Sequence, residues 1–241
     1  MHKHIYACII ILLALIFTPR DVAAQGTQIE FGKNRVQYHD DFAEWFKYES
    51  DNFITYWYGE GRNIGQAAVQ IAEYEFGRIQ TVLEHRINDK LQIIVYTDIT
   101  DLKQSNIGVE EAFTNTGGDT KIEGNKIFVY FNGNHNHLRR QLREGIASVY
   151  LDAMLFGSNL QEIVQNAVMM NLPDWFKQGL VGYAGENWST DLDDRLRDYV
   201  LSEDFEGFEE LATLDPGLAG HSLWYFIGEH FGKPTVSNLL Y

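Results

Sequence analysis

The residues best placed for catalysis or metal binding lie within residues 138–151. There, Arg143, Glu144 and Ala147 stand at the first, second and last positions of the motif H-E-x-x-H. This motif puts two histidines one helical turn apart, where both can bind zinc, and the glutamate beside the first acts as a general base. Only Glu144 keeps its residue type here. The spacing of a zinc site is therefore present, but two of its ligands are replaced.

A second stretch, residues 172–183, lies downstream at a distance that suits the third ligand of such a site. It reads L-P-D-W-F-K-Q-G-L-V-G-Y. This resembles the W-F-x-E-G-x-A-x-Y helix of the gluzincin metallopeptidases, whose glutamate binds the zinc, and the matching residue is Gln178. The chain thus resembles a degenerate gluzincin, namely the peptidase-MA-like domain of exported Bacteroidetes proteins that continue into a TolB-like β-propeller.

This resemblance covers nearly the whole mature chain, including F-G-K-N-R-V-Q-Y at residues 31–38. It implies an α+β fold of the zincin-like, thermolysin type. A small mixed sheet would form the N-terminal lobe, and the C-terminal lobe would be mostly helical. The resemblance also implies that the chain is the front part of a longer protein.

The three residues at the metal positions predict that zinc does not bind. Arg143 is permanently charged, Ala147 has no donor atom, and Gln178 offers only an uncharged carbonyl oxygen. Without a metal to activate water, general-base help from Glu144 gives about 10²–10⁴-fold, far less than peptide hydrolysis requires. We therefore expect no metal, no other cofactor and no peptidase activity. The leading prediction is a pseudopeptidase that binds a protein or peptide partner.

The positive charge of Arg143 could take the place of the missing metal. A buried cation without a partner is costly, so this hypothesis predicts a carboxylate close to the guanidinium. Glu144 is the next residue on the helix and faces another direction. The carboxylate is therefore expected on another segment, which the sequence does not name.

Two alternatives assign an activity to the chain. An active metalloprotease with unusual ligands would need His135 or His137, which lie just ahead of the motif helix. A metal-independent hydrolase would use Glu144 with a second carboxylate, such as Asp174 or Glu186, because paired carboxylates about 5–10 Å apart suit glycoside chemistry.

The strand before the motif helix is a candidate for peptide binding. Residues 126–131 read K-I-F-V-Y-F and predict a strand. In active relatives the strand at this place is an edge that pairs with an extended substrate. An open edge here would bind a peptide beside Lys126, Phe128 and Tyr130. The alternative is an edge covered by neighbouring parts of the chain.

Local patterns predict the elements that position these two helices. Aromatic and β-branched residues predict a hairpin over residues 45–58, and an apolar run predicts a buried strand over 91–96. Helical periodicity or a capping residue predicts five further helices in chain order: 66–85, one capped by Asp98 or Thr100, 159–170, 188–200 and 219–231. Another helix is predicted to begin at Val236.

The first 24 residues have the pattern of a secretory signal peptide. An apolar run from Ile5 to Phe17 is followed by V-A-A at residues 22–24, and about 13 residues are too few to span a membrane as a helix. Cys8, the only cysteine, lies inside this run. We therefore predict an exported protein of a Gram-negative periplasm or cell surface. Its mature part, residues 25–241, would form one domain without cysteine.

The charge composition limits the classes of binding partner. The chain has 19 Lys and Arg against 34 Asp and Glu, for a formal charge of −15. Cleavage would remove Lys3, Arg20 and Asp21, so the mature charge becomes −16. Such an acidic chain repels nucleic acid and anionic membrane surfaces. No apolar stretch after the signal peptide predicts a membrane span.

Overall fold

The computed structural model describes residues 44–105, 120–156, 172–202 and 206–240, all within the unit Phe31–Tyr241. The strands are β1 Trp45–Glu49, β2 Phe53–Tyr58, β3 Leu91–Tyr96, β4 Lys121–Glu123 and β5 Lys126–Tyr130. The helices in these ranges are α1 Arg62–Leu83, α2 Ile99–Gln104, α3 His135–Phe156, α4 Asp174–Gly185, α5 Thr190–Leu201, α6 Phe208–Leu214, α7 Pro216–Phe231 and α8 Pro234–Leu240. The predicted α+β class is confirmed.

The five strands form one mixed sheet in the order β1-β2-β3-β5-β4. The three central strands, β2, β3 and β5, run parallel, and β1 and β4 are antiparallel to their neighbours at the two ends. The central strand β3 is apolar and almost entirely buried, as expected for a strand that is covered on both faces. The predicted small mixed sheet is therefore present.

Of the two alternatives for this strand, the open edge is wrong, and β5 is covered by neighbouring strands on both sides. β5 lies between β3 and β4, with Lys126 opposite Glu123 and Phe128 opposite Lys121. Tyr130 extends beyond β4, but its backbone is also satisfied. Its N–H donates to Oε1 of Gln141 at 3.1 Å, and its carbonyl accepts from Nε2 of Gln141 at 2.9 Å. The backbone groups of Lys126, Phe128 and Tyr130 are thus engaged by the chain itself, through the neighbouring strands and the side chain of Gln141.

Helices α1 and α3 pack against each other and against the sheet, and α4 packs against α3. One hydrophobic cluster joins these layers. Its fully buried members include Ile93 and Ile127 from the sheet, Ile79 from α1 and Ile146 from α3. The motif helix α3 is therefore held on one side by strands and on the other by helices. This environment gives its polar side chains fixed positions.

The two helices α4 and α7 cross at a pair of glycines. A Cβ atom on Gly220 would lie 1.8 Å from the carbonyl oxygen of Trp175, and one on Gly179 would lie 2.2 Å from Cα of Gly220. Only glycine permits such a close backbone approach. This crossing sets how α7 lies behind the site helices.

Most of the predicted elements in the described ranges are present. The strand at 91–96 agrees to the residue, and the side chain of Asp98 caps α2 by accepting from the N–H of Asp101 at 2.9 Å. The sequence patterns did not predict strand β4 or helix α6. The signal peptide at 1–24, the segment 31–38 and the helix at 159–170 lie outside the described residues. No helix in the described ranges has the length and apolar character needed to cross a bilayer.

Candidate functional site

The motif helix α3 is seated on the sheet at Gly145. A Cβ atom at this position would lie 2.3 Å from Cγ2 of Ile127 in β5, so a larger residue would push the helix away. The helix also buries Leu142 and Ile146 completely. Arg143 and Glu144 are therefore held beside the sheet by the apolar residues on either side of them.

The predicted carboxylate partner of Arg143 is Glu75 of helix α1. Nε of Arg143 lies 3.2 Å from Oε2 of Glu75, the Arg143 side chain is 12% exposed, and the Glu75 side chain is 0% exposed. The expectation that Arg143 is buried against a carboxylate of another segment is thus confirmed. Sequence reasoning did not name Glu75, although this residue shares the buried stripe of α1 with Ala72 and Ile79.

Glu75 also binds two further arginines. Its Oε1 atom accepts from Nε of Arg139 at 2.5 Å, and its Oε2 atom accepts from Nη1 of Arg78 at 3.0 Å. Both arginines are more exposed than Arg143, at 42% for Arg139 and 34% for Arg78. One buried carboxylate therefore faces three guanidinium groups.

Arg143 itself is poorly satisfied. Its Nε atom is buried and has no hydrogen-bond partner, because the contact with Glu75 has the distance of an ion pair but not the direction of a hydrogen bond. Burial lowers the pKa of Arg143, and the charges of Arg78 and Arg139 act in the same direction, while Glu75 and Glu186 oppose them. Arginine nevertheless stays protonated at physiological pH.

The other two positions that match zinc ligands, Ala147 and Gln178, lie on α3 and α4. Ala147 is fully buried in the core. The residue of α4 that meets α3 at Arg143 and Glu144 is Gly185, whose added Cβ would lie 3.4 Å from the Glu144 nitrogen. Gln178 lies seven residues earlier, about 10 Å along the helix axis. Its Oε1 atom is 3.9 Å from where a Cβ of Gly217 would be.

Glu144, the surviving general-base position, is partly buried and hydrogen bonded. Its Oε2 atom accepts from the hydroxyl of Thr120 at 3.1 Å, although the same hydroxyl also reaches the carbonyl of Gln141 at 2.9 Å. Glu144 lines a cavity of about 430 Å³ together with Tyr130 and His137.

The two histidines before the motif are used for packing. His137 shares a hydrogen bond of 3.0 Å between its Nε2 and the hydroxyl of Tyr130, and His135 contacts the ring of Phe131 edge-on. His135 begins α3 and lies eight residues before Arg143, about 12 Å along the axis. Within the described residues, no three His, Cys, Asp or Glu side chains are grouped so that they could hold a metal ion.

The two candidate carboxylate partners of Glu144 lie in different surroundings. Asp174 is 73% exposed and lies 3.9 Å from Nζ of Lys177. Glu186 lines a second cavity, of about 330 Å³, which it shares with Arg143 and Asp191 and which Glu144 does not line. Neither carboxylate therefore lines the cavity of about 430 Å³ that Glu144 lines.

His221 of α7 is a further buried polar group beside the site, and the sequence patterns did not point to it. It is 4% exposed, contacts the ring of Trp188 edge-on, and has no hydrogen bond at Nε2. Burial lowers the pKa of His221 to about 4, and the positive charge of Arg143 adds to this effect. Both residues are thus close enough to interact electrostatically.

Comparison of the chain with protein-family models, with curated protein sequences and with solved structures gives no significant match. The resemblance to gluzincins therefore rests on the two sequence stretches and their spacing, and it stays a prediction.

Proposed function

We propose that this chain is a catalytically inactive metallopeptidase-like domain that binds a protein or peptide partner. The observation that carries the proposal is the pairing of Arg143 with Glu75. A guanidinium group held by a buried carboxylate stands at the first ligand position of the motif. A second cation at the same place would meet a fixed positive charge, so the local electrostatics oppose metal binding.

The chemistry of the donor set supports the same conclusion. A zinc site needs lone pairs from nitrogen, sulfur or carboxylate oxygen, arranged as three or four ligands. Arg143, Ala147 and Gln178 supply one amide oxygen between them. These residues do not fit zinc, and no hydrolytic step through a metal follows from them.

Two cavities flank the first turns of α3, and they support a binding role. The larger, of about 430 Å³, combines apolar residues such as Phe128 and Leu102 with the polar groups of Glu144 and Tyr130. Its volume and mixed lining are those of a small-molecule or peptide side-chain site. Export of the protein also belongs to the proposal, and it is supported by the signal-peptide pattern of residues 1–24.

Elemental analysis tests the absence of metal. The mature protein would be purified without added metal, dialysed against zinc and then against metal-free buffer. We expect less than a tenth of an equivalent of zinc per chain. A full equivalent that disappears in His135→Ala or His137→Ala would overturn the proposal and support an active metalloprotease.

A designed variant tests the gluzincin resemblance separately. Arg143→His, Ala147→His and Gln178→Glu together should create a zinc site if the backbone has the geometry of that family. The matched control carries the first two substitutions and keeps Gln178. A folded triple variant that takes up no more zinc than the parent would contradict the resemblance.

A further inference from the structure

The cavity of about 330 Å³ at the start of α3 has an unusual wall for so acidic a protein. Three arginines line it, Arg139, Arg140 and Arg143, together with the carboxylates Glu186 and Asp191. The formal charge of the whole chain is −15. A concentration of guanidinium groups on such a background requires either internal partners or a ligand.

Of these three arginines, only Arg139 has a hydrogen-bonded internal partner, the carboxylate of Glu75. Glu75 is fully buried behind the wall, and its carboxylate oxygens already accept hydrogen bonds from Arg78 and Arg139. Glu186 and Asp191 form no ion pair within 4 Å of the three arginines in the described part of the chain. Arg140 is exposed and has no carboxylate partner there either.

Arg143 has a buried donor, Nε, that makes no hydrogen bond. A guanidinium group has five N–H donors in a planar fork, and the fork matches the two oxygens of a carboxylate or phosphate. Among the described residues, Arg143 makes one off-direction contact with Glu75 and no hydrogen bond, although its side chain is only 12% exposed. A buried charged donor in this condition gains more from a ligand oxyanion than an exposed one does.

We propose that this cavity binds an oxyanion, with Arg143 as the buried donor and Arg140 at the open side. The ligand chemistry is that of a peptide carboxylate or of free phosphate, since both present two oxygens to a guanidinium fork. The choice of a peptide as one source rests on the proposed function, and the oxyanion site itself does not.

The test compares two peptides that differ only in charge at one end. Acetyl-Gly-Ala-Ala with a free C-terminal carboxylate, its C-terminal amide, and inorganic phosphate are each titrated into the mature protein by calorimetry. The acid is expected to bind about tenfold more tightly than the amide, because a charge-assisted hydrogen bond is lost in the amide. Added salt should weaken binding of the acid and leave binding of the amide unchanged.

Two variants locate the site, and a third variant serves as the control. Arg143→Met and Arg140→Gln should each remove most of the preference for the acid. Arg140 is exposed, so its variant tests the proposal even if Arg143→Met does not fold. Arg197→Gln removes an exposed arginine that pairs with Asp193 and Asp194 on α5, and it should leave the preference intact.

The outcomes of these titrations distinguish a peptide carboxylate from free phosphate as the source of the oxyanion. Arginine-dependent binding of the acid peptide supports a peptide carboxylate, and arginine-dependent binding of phosphate alone supports the same site with free phosphate as its ligand. Equal binding of acid and amide, together with no arginine-dependent binding of phosphate, overturns the proposal. The zinc content of the protein, which tests the proposed function, is independent of all three results.

Discussion

Nε of Arg143 lies 3.2 Å from Oε2 of Glu75, and this contact joins the motif helix α3 to helix α1. The two side chains are not equivalent in the contact. Glu75 keeps hydrogen bonds from Arg78 and Arg139 if Arg143 is lost. Arg143 has no other carboxylate within ion-pair distance in the described residues.

This asymmetry predicts a double-mutant cycle in which Glu75 matters more than Arg143. Glu75→Gln should destabilise the protein by about 3 kcal/mol, because it leaves a buried cation without its counter-charge. Arg143→Met should cost about 1 kcal/mol, since the carboxylate stays bonded. The double variant should lose less than the sum of the two. Urea denaturation of the four proteins measures the cycle.

Strictly additive losses in this cycle would show that Arg143 and Glu75 do not interact. A control is available in the exposed pair of Lys90 and Glu49, which lie 2.7 Å apart. Glu49→Gln should change stability much less than Glu75→Gln, because an exposed pair is screened by water and salt.

The buried His221 predicts a loss of stability in mild acid. Burial, followed by the charge of Arg143, lowers its pKa to about 4 in the folded protein, whereas an unfolded histidine titrates near pH ~6.5. As the pH falls from about 6.5 to 4, the unfolded chain binds a proton at this histidine, whereas the folded chain does not. The free energy of unfolding therefore decreases by on the order of 3 kcal/mol.

The measurement is the free energy of unfolding at pH 7.5 and 4.5 for the parent and for His221→Asn. The difference between the two pH values should shrink in the variant, because Asn does not titrate. His230→Asn, on the exposed side of the same helix, should keep the parent's difference. An unchanged difference in His221→Asn would contradict the prediction.

Asp152 of α3 predicts the opposite dependence on pH. Burial raises the pKa of its carboxyl to about 7, and the charge of Lys177 only partly offsets this. The folded state therefore holds a proton that the unfolded chain releases near pH ~4, and stability falls as the pH rises from about 4 to 7.

Asp152→Asn removes this ionisation. Relative to the parent, the variant should gain on the order of 1–3 kcal/mol at pH 8 and little at pH 4. Thermal unfolding at both pH values measures the gain. Asp174→Asn is the matched control, because Asp174 is 73% exposed and also lies near Lys177. A comparable gain in both variants would attribute the effect to surface charge instead.

The crossing of α4 and α7 predicts a strong effect from a single methyl group. Gly220→Ala would place its Cβ 1.8 Å from the carbonyl oxygen of Trp175, so the helices must separate, at a cost of about 3 kcal/mol. Gly77→Ala is the control, because nothing lies within 4 Å of its added Cβ. In the interior of α1 it should stabilise the protein by about 0.4–1 kcal/mol. A tolerated Gly220→Ala would contradict the close approach.

The elements that could be predicted are those with a strong local signal. The run at residues 91–96 is apolar except at Gln92 and contains three β-branched residues, and it forms β3 with the predicted bounds. The three residues of β4 have no such signal. They are a strand only because they pair with β5, and that pairing also removes the open edge which the sequence suggested at β5.

By itself, the sequence determined which residue types stand at the three positions that resemble zinc-ligand positions. A guanidinium group, a methyl group and an amide cannot together bind zinc, whatever the fold, because donor chemistry belongs to the side chain. The sequence also determined that a buried Arg143 needs a carboxylate. Which carboxylate serves was decided by tertiary structure alone, because Glu75 lies on a distant helix that only packing brings within 3.2 Å. The same packing brings Arg139 and Arg143 of α3 to the carboxylate that Arg78 contacts from the next turn of α1.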